Sequence, residues 1–242
     1  AAVRQQSVRE AIVWAWKGYR LHAWGADELR PVSRGESTWF GLGITIVDSL
    51  DTLWLAGEEE SFRDGVAWVK ENLRFDADVD VNVFETTIRV LGGLLGAYHL
   101  SGEPELLRLA GEIGEKLSAA FKSPSGIAYS DVNLRKGFAF NPKHVDSSLA
   151  ESTTLSLEFT SLGAATGRSE YGRLVKKCMR RVAAAREEWM RGGREDMAGL
   201  APIHLDPKTG RFKQSLVTMG ARADSYYEYL LKMWIMDKRC VE

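Results

Sequence analysis

Residues 81–102 read VNVFETTIRVLGGLLGAYHLSG: a polar entry, an acid at Glu85, an apolar helical run and a glycine at the far end. The pattern returns at 149–167, LAESTTLSLEFTSLGAATG, with Glu151. It returns again at 220–235, GARADSYYEYLLKMWI, with Asp224. Each copy delivers a carboxylate at the start of an amphipathic helix. Around them the chain alternates apolar and charged helical segments, predicted at 7–23, 41–56, 60–73, 83–100, 104–121, 148–165, 169–190 and 223–236. In 7–23, Val8, Ile12, Ala15, Trp16 and Tyr19 share one helical face.

The helices come in pairs. LWLAGEEESFRDGVAWV, AYHLSGEPELLRLAGEI and GAATGRSEYGRLVKKC each pass from an apolar helix through Gly57, Gly102 or Gly167 into a second helix. Glycine suits the left-handed backbone just past a helix C-terminus. Repeated helix hairpins mean an α-solenoid or a closed α/α toroid. The irregular repeat and the long loops before the acid-bearing helices favour a toroid with one functional rim. Gly92, Gly93 and Gly96 would let neighbouring helices approach closely. The expected class is all-α, in one domain over 1–242. Extended pieces are expected at 127–132, with a hairpin near 199–217 turning at Pro207–Gly210.

Composition narrows the function. With 45% hydrophobic residues the chain can bury a core, and its net charge of -1 gives no reason to expect nucleic acid as a partner. Eight Trp and seven Tyr suit either core packing or a sugar pocket. The two cysteines, Cys178 and Cys240, make neither a disulfide framework nor a metal site. No transmembrane span or signal-peptide hydrophobic region is present in this sequence, so any anchor or signal is expected to lie outside it. His22, His99, His144 and His204 are too scattered for a zinc motif, and no Walker, G-x-S-x-G or G-x-G-x-x-G motif occurs.

A single acid at a helix start needs no more explanation than the helix dipole, worth about 0.3–1 kcal/mol. Three at equivalent places ask for more, because Ser, Thr or Asn would cap as well. Arg89 follows Glu85 by four residues inside an apolar stretch, where a charge needs a partner. Asp48 and Asp51 interrupt the apolar ITIVDSLDTLWL and are expected in a polar cavity. Arg222, Asp224 and Glu228 form a second charged group. Several carboxylates with interleaved arginines suit glycoside hydrolysis, which needs one acid and one base or nucleophile. Carboxylates also suit calcium, although no EF-hand spacing occurs.

WFGLGITIVDSLDTLWL (39–55), VNVFETTIRVLGGLLGAYHLSG, IAYSDVN (127–133) and GARADSYYEYLLKMWI together resemble glycoside hydrolase family 47, the class I α-1,2-mannosidases that trim high-mannose N-glycans. The resemblance covers essentially the whole chain. It implies an (α/α)7 barrel, inversion of configuration, one calcium ion and a lumenal setting in the endoplasmic reticulum or Golgi. By resemblance Glu85 is the acid, acting through a water, and Asp224 is a second essential carboxylate. Arg89, Glu151 and Glu228 are sugar- and water-binding residues, and Asp48 is a further acidic pocket position. Arg222, in its GARAD context, resembles the endoplasmic-reticulum subgroup, in which this arginine restricts the branch trimmed (Man9 to Man8 type). Domains of the family run to roughly twice this length, well above a typical domain. The chain therefore resembles their N-terminal half and lacks the usual base glutamate and the calcium-binding threonine. A second chain or a C-terminal half is expected to complete the barrel. The alternatives are a non-catalytic mannose-glycan-binding or quality-control module and, more weakly, a structural solenoid.

Overall fold

A computed structural model describes residues 2–143, 145–192, 197 and 199–239; His144 and Cys240 lie outside them. In chain order the elements are α1 (Ala2–His22), β1 (Glu28–Arg30), β2 (Gly35–Ser37), α2 (Ile44–Leu55), α3 (Glu59–Asn72), β3 (Asp80–Asn82) and α4 (Val83–Glu85). A π-helical segment, Thr86–Leu91, leads into α5 (Gly92–Ser101) and α6 (Pro104–Leu117). A 3-10 turn (Ser118–Lys122) precedes β4 (Asp131–Asn133), β5 (Ala139–Phe140) and β6 (Ser147–Ser148). Then come α7 (Leu149–Thr153), α8 (Ser156–Thr166), α9 (Glu170–Met190), β7 (His204–Leu205) and α10 (Asp224–Arg239). The described residues gather into two compact units. One comprises Ala1–Ala77 and Arg89–Glu112, the other Asp78–Ile88 and Ile113–Glu242.

In the first unit, α2 packs on α3 and α5. A methyl at Gly93 would fall 2.6 Å from the Val47 carbonyl oxygen, and one at Gly96 would fall 3.3 Å from Asp51 Oδ2. These small residues set how closely α5 approaches α2, as the sequence suggested. Gly57 and Gly102 are left-handed, with φ of 73° and 75°, where the two hairpins turn. On α1 only Trp16 and Tyr19 of the expected apolar face are buried, while Val8 is 61% exposed.

The start of α2 depends on one buried acid. Gly43 at its N-cap is left-handed and has no side chain to cap with. Asp27, fully buried, does the work instead. Its Oδ2 accepts the N–H groups of Trp39, Phe40 and Gly41 at 2.8 Å each, and its Oδ1 accepts those of Leu42 and Ile44 at 2.9 and 3.2 Å. Burial alone would raise this carboxyl, but the backbone donors outweigh it and hold the group below the usual carboxylate value. Between Asp27 and its donors runs an antiparallel β1–β2 hairpin.

In the second unit, α8 pairs with α9 through Gly167 at φ 70°, again as expected. Two small sheets frame the helix starts: β3–β4–β5, and β6 with β7. The expected hairpin at 199–217 is present as antiparallel bridges, Pro202 with Val217 and Leu205 with Phe212. The turn closes by an Asp206 to Arg211 backbone bond. Strand within the expected extended piece 127–132 begins only at Asp131.

Candidate active site

Two glutamates of the second unit begin helices in the same way. Strand β3 ends at Asn82, whose Oδ1 accepts the Glu85 N–H at 2.8 Å. Strand β6 ends at Ser148, whose Oγ accepts the Glu151 N–H at 3.1 Å. In both, cap and glutamate stand three positions apart, the spacing of a capping box. Other first-turn donors reach neighbouring carbonyls. Val83 N–H goes to the Ser130 carbonyl, Leu149 N–H to that of Ile203, and Ala150 N–H to that of Arg222, each at 2.8 Å. Helix capping therefore does not require either glutamate carboxylate. Asp224 differs: its Oδ1 accepts the Ser225 N–H at 3.0 Å, so part of its role is local.

The elements converge. Both α4 and α10 pack against α7, so the three helix starts read from the repeats are neighbours. Glu85 and Glu151 are half-buried, whereas Arg222, Asp224 and Glu228 are exposed. Burial pushes the Glu151 carboxyl up. The Ser148 hydroxyl and the Arg222 guanidinium oppose that rise, and the charges of Asp131 and Glu85 add to it. Glu151 thus sits in one electrostatic neighbourhood with Glu85, Asp131 and Arg222.

Asp131 was not singled out in the sequence. It stands opposite Asn82 in the β3–β4 ladder and accepts a hydrogen bond from the Ser130 hydroxyl. Burial raises its carboxyl, and Asp80 adds to the rise against the Ser130 bond. Arg222 carries a left-handed backbone, φ 71°, uncommon for a residue with a Cβ. Its Nη1 lies 3.0 Å from His204 Nε2, which accepts in that contact. Glu228 pairs with Lys232 one turn on at 3.3 Å.

Arg89 and Asp48 fall in the first unit, joined at 3.4 Å between Nη1 and Oδ2. The expected partner for Arg89 is thus supplied from α2. Asp48 is exposed, and Asp51, half-buried, accepts from the N–H of Thr52. The four-residue spacing of Glu85 and Arg89 does not run on α-helix, because the π segment begins at Thr86. A π-turn closes over five residues and is frequent at functional sites.

No described helix is long and apolar enough to cross a membrane. Among the described residues no three His, Cys, Asp or Glu side chains group so as to hold a metal. Cys178 is buried, donates to the Ser152 carbonyl at 3.4 Å, and is pushed up by burial to about 11.

The model of glycosyl hydrolase family 47 matches residues 11–242. The chain belongs to this family. It is 48% identical over 234 residues to the endoplasmic reticulum mannosyl-oligosaccharide 1,2-alpha-mannosidase of Rattus norvegicus, covering 96% of this chain and 34% of that protein. It is 43% identical over 240 residues to the mannosyl-oligosaccharide 1,2-alpha-mannosidase MNS1 of Arabidopsis thaliana, covering 98% and 41%. The solved alpha-1,2-mannosidase from Trichoderma reesei superposes with a TM-score of 0.88 at 30% identity, over 99% of this chain and 51% of that one. The mainly helical fold is thus that of the family, and the chain spans about a third to a half of the length of these relatives.

Proposed function

We propose that this chain is the acid-bearing part of an inverting exo-α-1,2-mannosidase that trims high-mannose N-glycans in the lumen of the endoplasmic reticulum or Golgi. The observation that carries it is the convergence of two helix starts, capped by Asn82 and Ser148, whose carboxylates, Glu85 and Glu151, share a charged cluster with Asp131 and Arg222. Membership of the family and relatives named 1,2-alpha-mannosidases support the same reading.

Inversion needs an acid that protonates the leaving oxygen and a base that activates water on the opposite face of the sugar. Glu85 is assigned the acid, delivering its proton through a water. Glu151, half-buried beside Arg222, is assigned to binding sugar and water. Asp224, exposed at the α10 start, is assigned the second essential carboxylate. Arg89, Asp48 and Glu228 are assigned to sugar and water. Arg222 is assigned to choosing the branch, and its strained backbone suits a residue held for function rather than stability. The base and the calcium ligand come from the remainder of the domain, on a continuation or a second chain.

The test is mannose release from a Man9 oligosaccharide, with calcium, by the domain containing this chain and by its Glu85→Gln variant. General acid catalysis contributes about 10²- to 10⁴-fold, so turnover should fall by at least about 100-fold with folding intact. Unchanged turnover would remove Glu85 from the acid role. Saturable glycan binding without any release by the unsubstituted protein would favour the non-catalytic glycan-binding module.

A further inference from the structure

A second feature of the first unit has the chemistry of a sugar site. Asp64, Ala67, Trp68 and Glu71 occupy one face of α3, at successive helical turns. With Arg20 at the end of α1 and Trp24 just after it, they line a cleft of about 420 Å³. That volume lies within the range of small-molecule sites, roughly 300–1,000 Å³.

The aromatic floor is fixed. One side of the Trp68 indole lies on the backbone of Gly25 and Gly43, both left-handed with φ of 89° and 59°. A methyl at Gly25 would fall 3.0 Å from Trp68 Nε1, and one at Gly43 would overlap the ring carbons. Trp24 is held edge-on by Trp16 at 5.7 Å between centroids. A platform already immobilised loses little entropy when a ligand stacks on it.

The charges narrow the ligand. Arg20 Nη1 is 2.6 Å from Asp64 Oδ2, and its guanidinium lies 5.7 Å from the Trp24 ring centroid. The cation position over Trp24 is therefore filled from within. An anion would meet two carboxylates and one guanidinium already paired. A purely apolar ligand would strand the same carboxylates. A neutral polyhydroxylated ring satisfies every wall. Its C–H face packs on the indole, and its hydroxyls donate to Asp64 and Glu71 and accept from Arg20.

We propose that this cleft is a second glycan-binding surface, taking one hexose of a neutral oligosaccharide stacked on Trp68 between Asp64 and Glu71. It goes beyond the acid cluster and does not depend on that cluster's chemistry.

The experiment follows the tryptophan indole N–H resonances of the chain while a Man9 oligosaccharide is titrated, with Trp68 assigned by the signal lost in Trp68→Phe. A saturable shift of the Trp68 signal is expected, both in the unsubstituted chain and in Glu85→Gln. Glu71 is exposed, so Glu71→Ala should keep the melting temperature yet weaken that binding at least about tenfold, as for a lost hydrogen bond to a charged group. No Trp68 shift at millimolar oligosaccharide would overturn the proposal, as would equal affinity in Glu71→Ala. A shift produced by a lysine-rich peptide and not by the oligosaccharide would also overturn it, identifying a cation site.

Discussion

Replacing Asp27 by Asn removes one acceptor atom from a site that uses two. Asp27 Oδ2 holds three backbone N–H groups and Oδ1 holds two, all around a fully buried carboxylate. An amide offers one oxygen. Its best orientation keeps the donors of Trp39, Phe40 and Gly41 and turns an NH₂ towards those of Leu42 and Ile44. Each buried donor left without an acceptor costs about 1–3 kcal/mol, so two cost about 2–6 kcal/mol. The three bonds that remain also weaken, because a charged acceptor binds roughly twice as strongly as a neutral one. That loss is a large part of a typical net stability of about 5–15 kcal/mol. It corresponds to a fall in melting temperature of roughly 5–20 °C for a chain of this size. Urea unfolding at pH 7 measures it directly. The pH dependence supplies a second readout. The folded carboxyl is lowered, so its contribution is complete above the ordinary aspartate value near 4. It is lost as pH falls through that value towards the lowered one. The unsubstituted chain should therefore lose stability in acid over that window, and Asp27→Asn should lose less. A variant within about 0.5 kcal/mol of the parent at pH 7, with the same acid slope, would refute the account.

Other substitutions separate function from folding. Glu85→Gln should lower mannose release by at least about 100-fold with an unchanged melting temperature, read from paired activity and thermal scans. Arg222→Gly relieves a left-handed Cβ, worth about 1–3 kcal/mol, while its extra unfolded-state freedom costs about 0.5–1 kcal/mol. The melting temperature should hold or rise while the product isomer changes; a clear drop would show that the guanidinium contact to His204 stabilises the fold. Glu158 is half-buried, accepts from Tyr229 Oη at 2.7 Å through Oε1, and has its carboxyl raised by burial against that bond. A raised acid weakens the fold as pH climbs above the ordinary glutamate value. Glu158→Gln should therefore match the parent in acid and exceed it at neutral pH, by roughly 0.5–2 kcal/mol. Equal stability at both pH values would contradict the raised carboxyl.

What could be read from the sequence was what local rules govern. Gly57, Gly102 and Gly167 were placed correctly, because a left-handed residue past a helix end is a demand on one position. The acids at the starts of 83–100, 148–165 and 223–236 were legible for the same reason. The caps behind them, Asn82 and Ser148, stand three residues ahead of each glutamate in N-V-F-E and S-L-A-E, a spacing that these four-residue strings carry on their face. The π segment was hidden, since its apolar spacing matches an α-helix. Helix 148–165 likewise concealed a break at Thr154 and Leu155. The β1–β2 hairpin turns through Pro31–Arg34 with no Asn-Gly or Asp-Gly signal, and Arg34 takes the left-handed place at φ 55°. Asp131 is set opposite Asn82, and His204 beside Arg222, by contacts between distant parts of the chain. The five donors around Asp27 are non-local in the same sense.

The Asp27 arrangement also has a meaning for how the chain can vary. The segment from Glu28 to Thr38 leaves one side of a buried knot and returns to the other. Because both ends are pinned there, the hairpin between them is a pendant whose length is decoupled from the core. Closing a loop twice as long adds only about 0.6 kcal/mol. Insertions and sequence drift should therefore collect around Arg30–Gly35, while Asp27 and the backbone run from Trp39 to Ile44 keep their form. The hairpin tip is a place where an engineered tag or graft could be carried without disturbing either helix that flanks it.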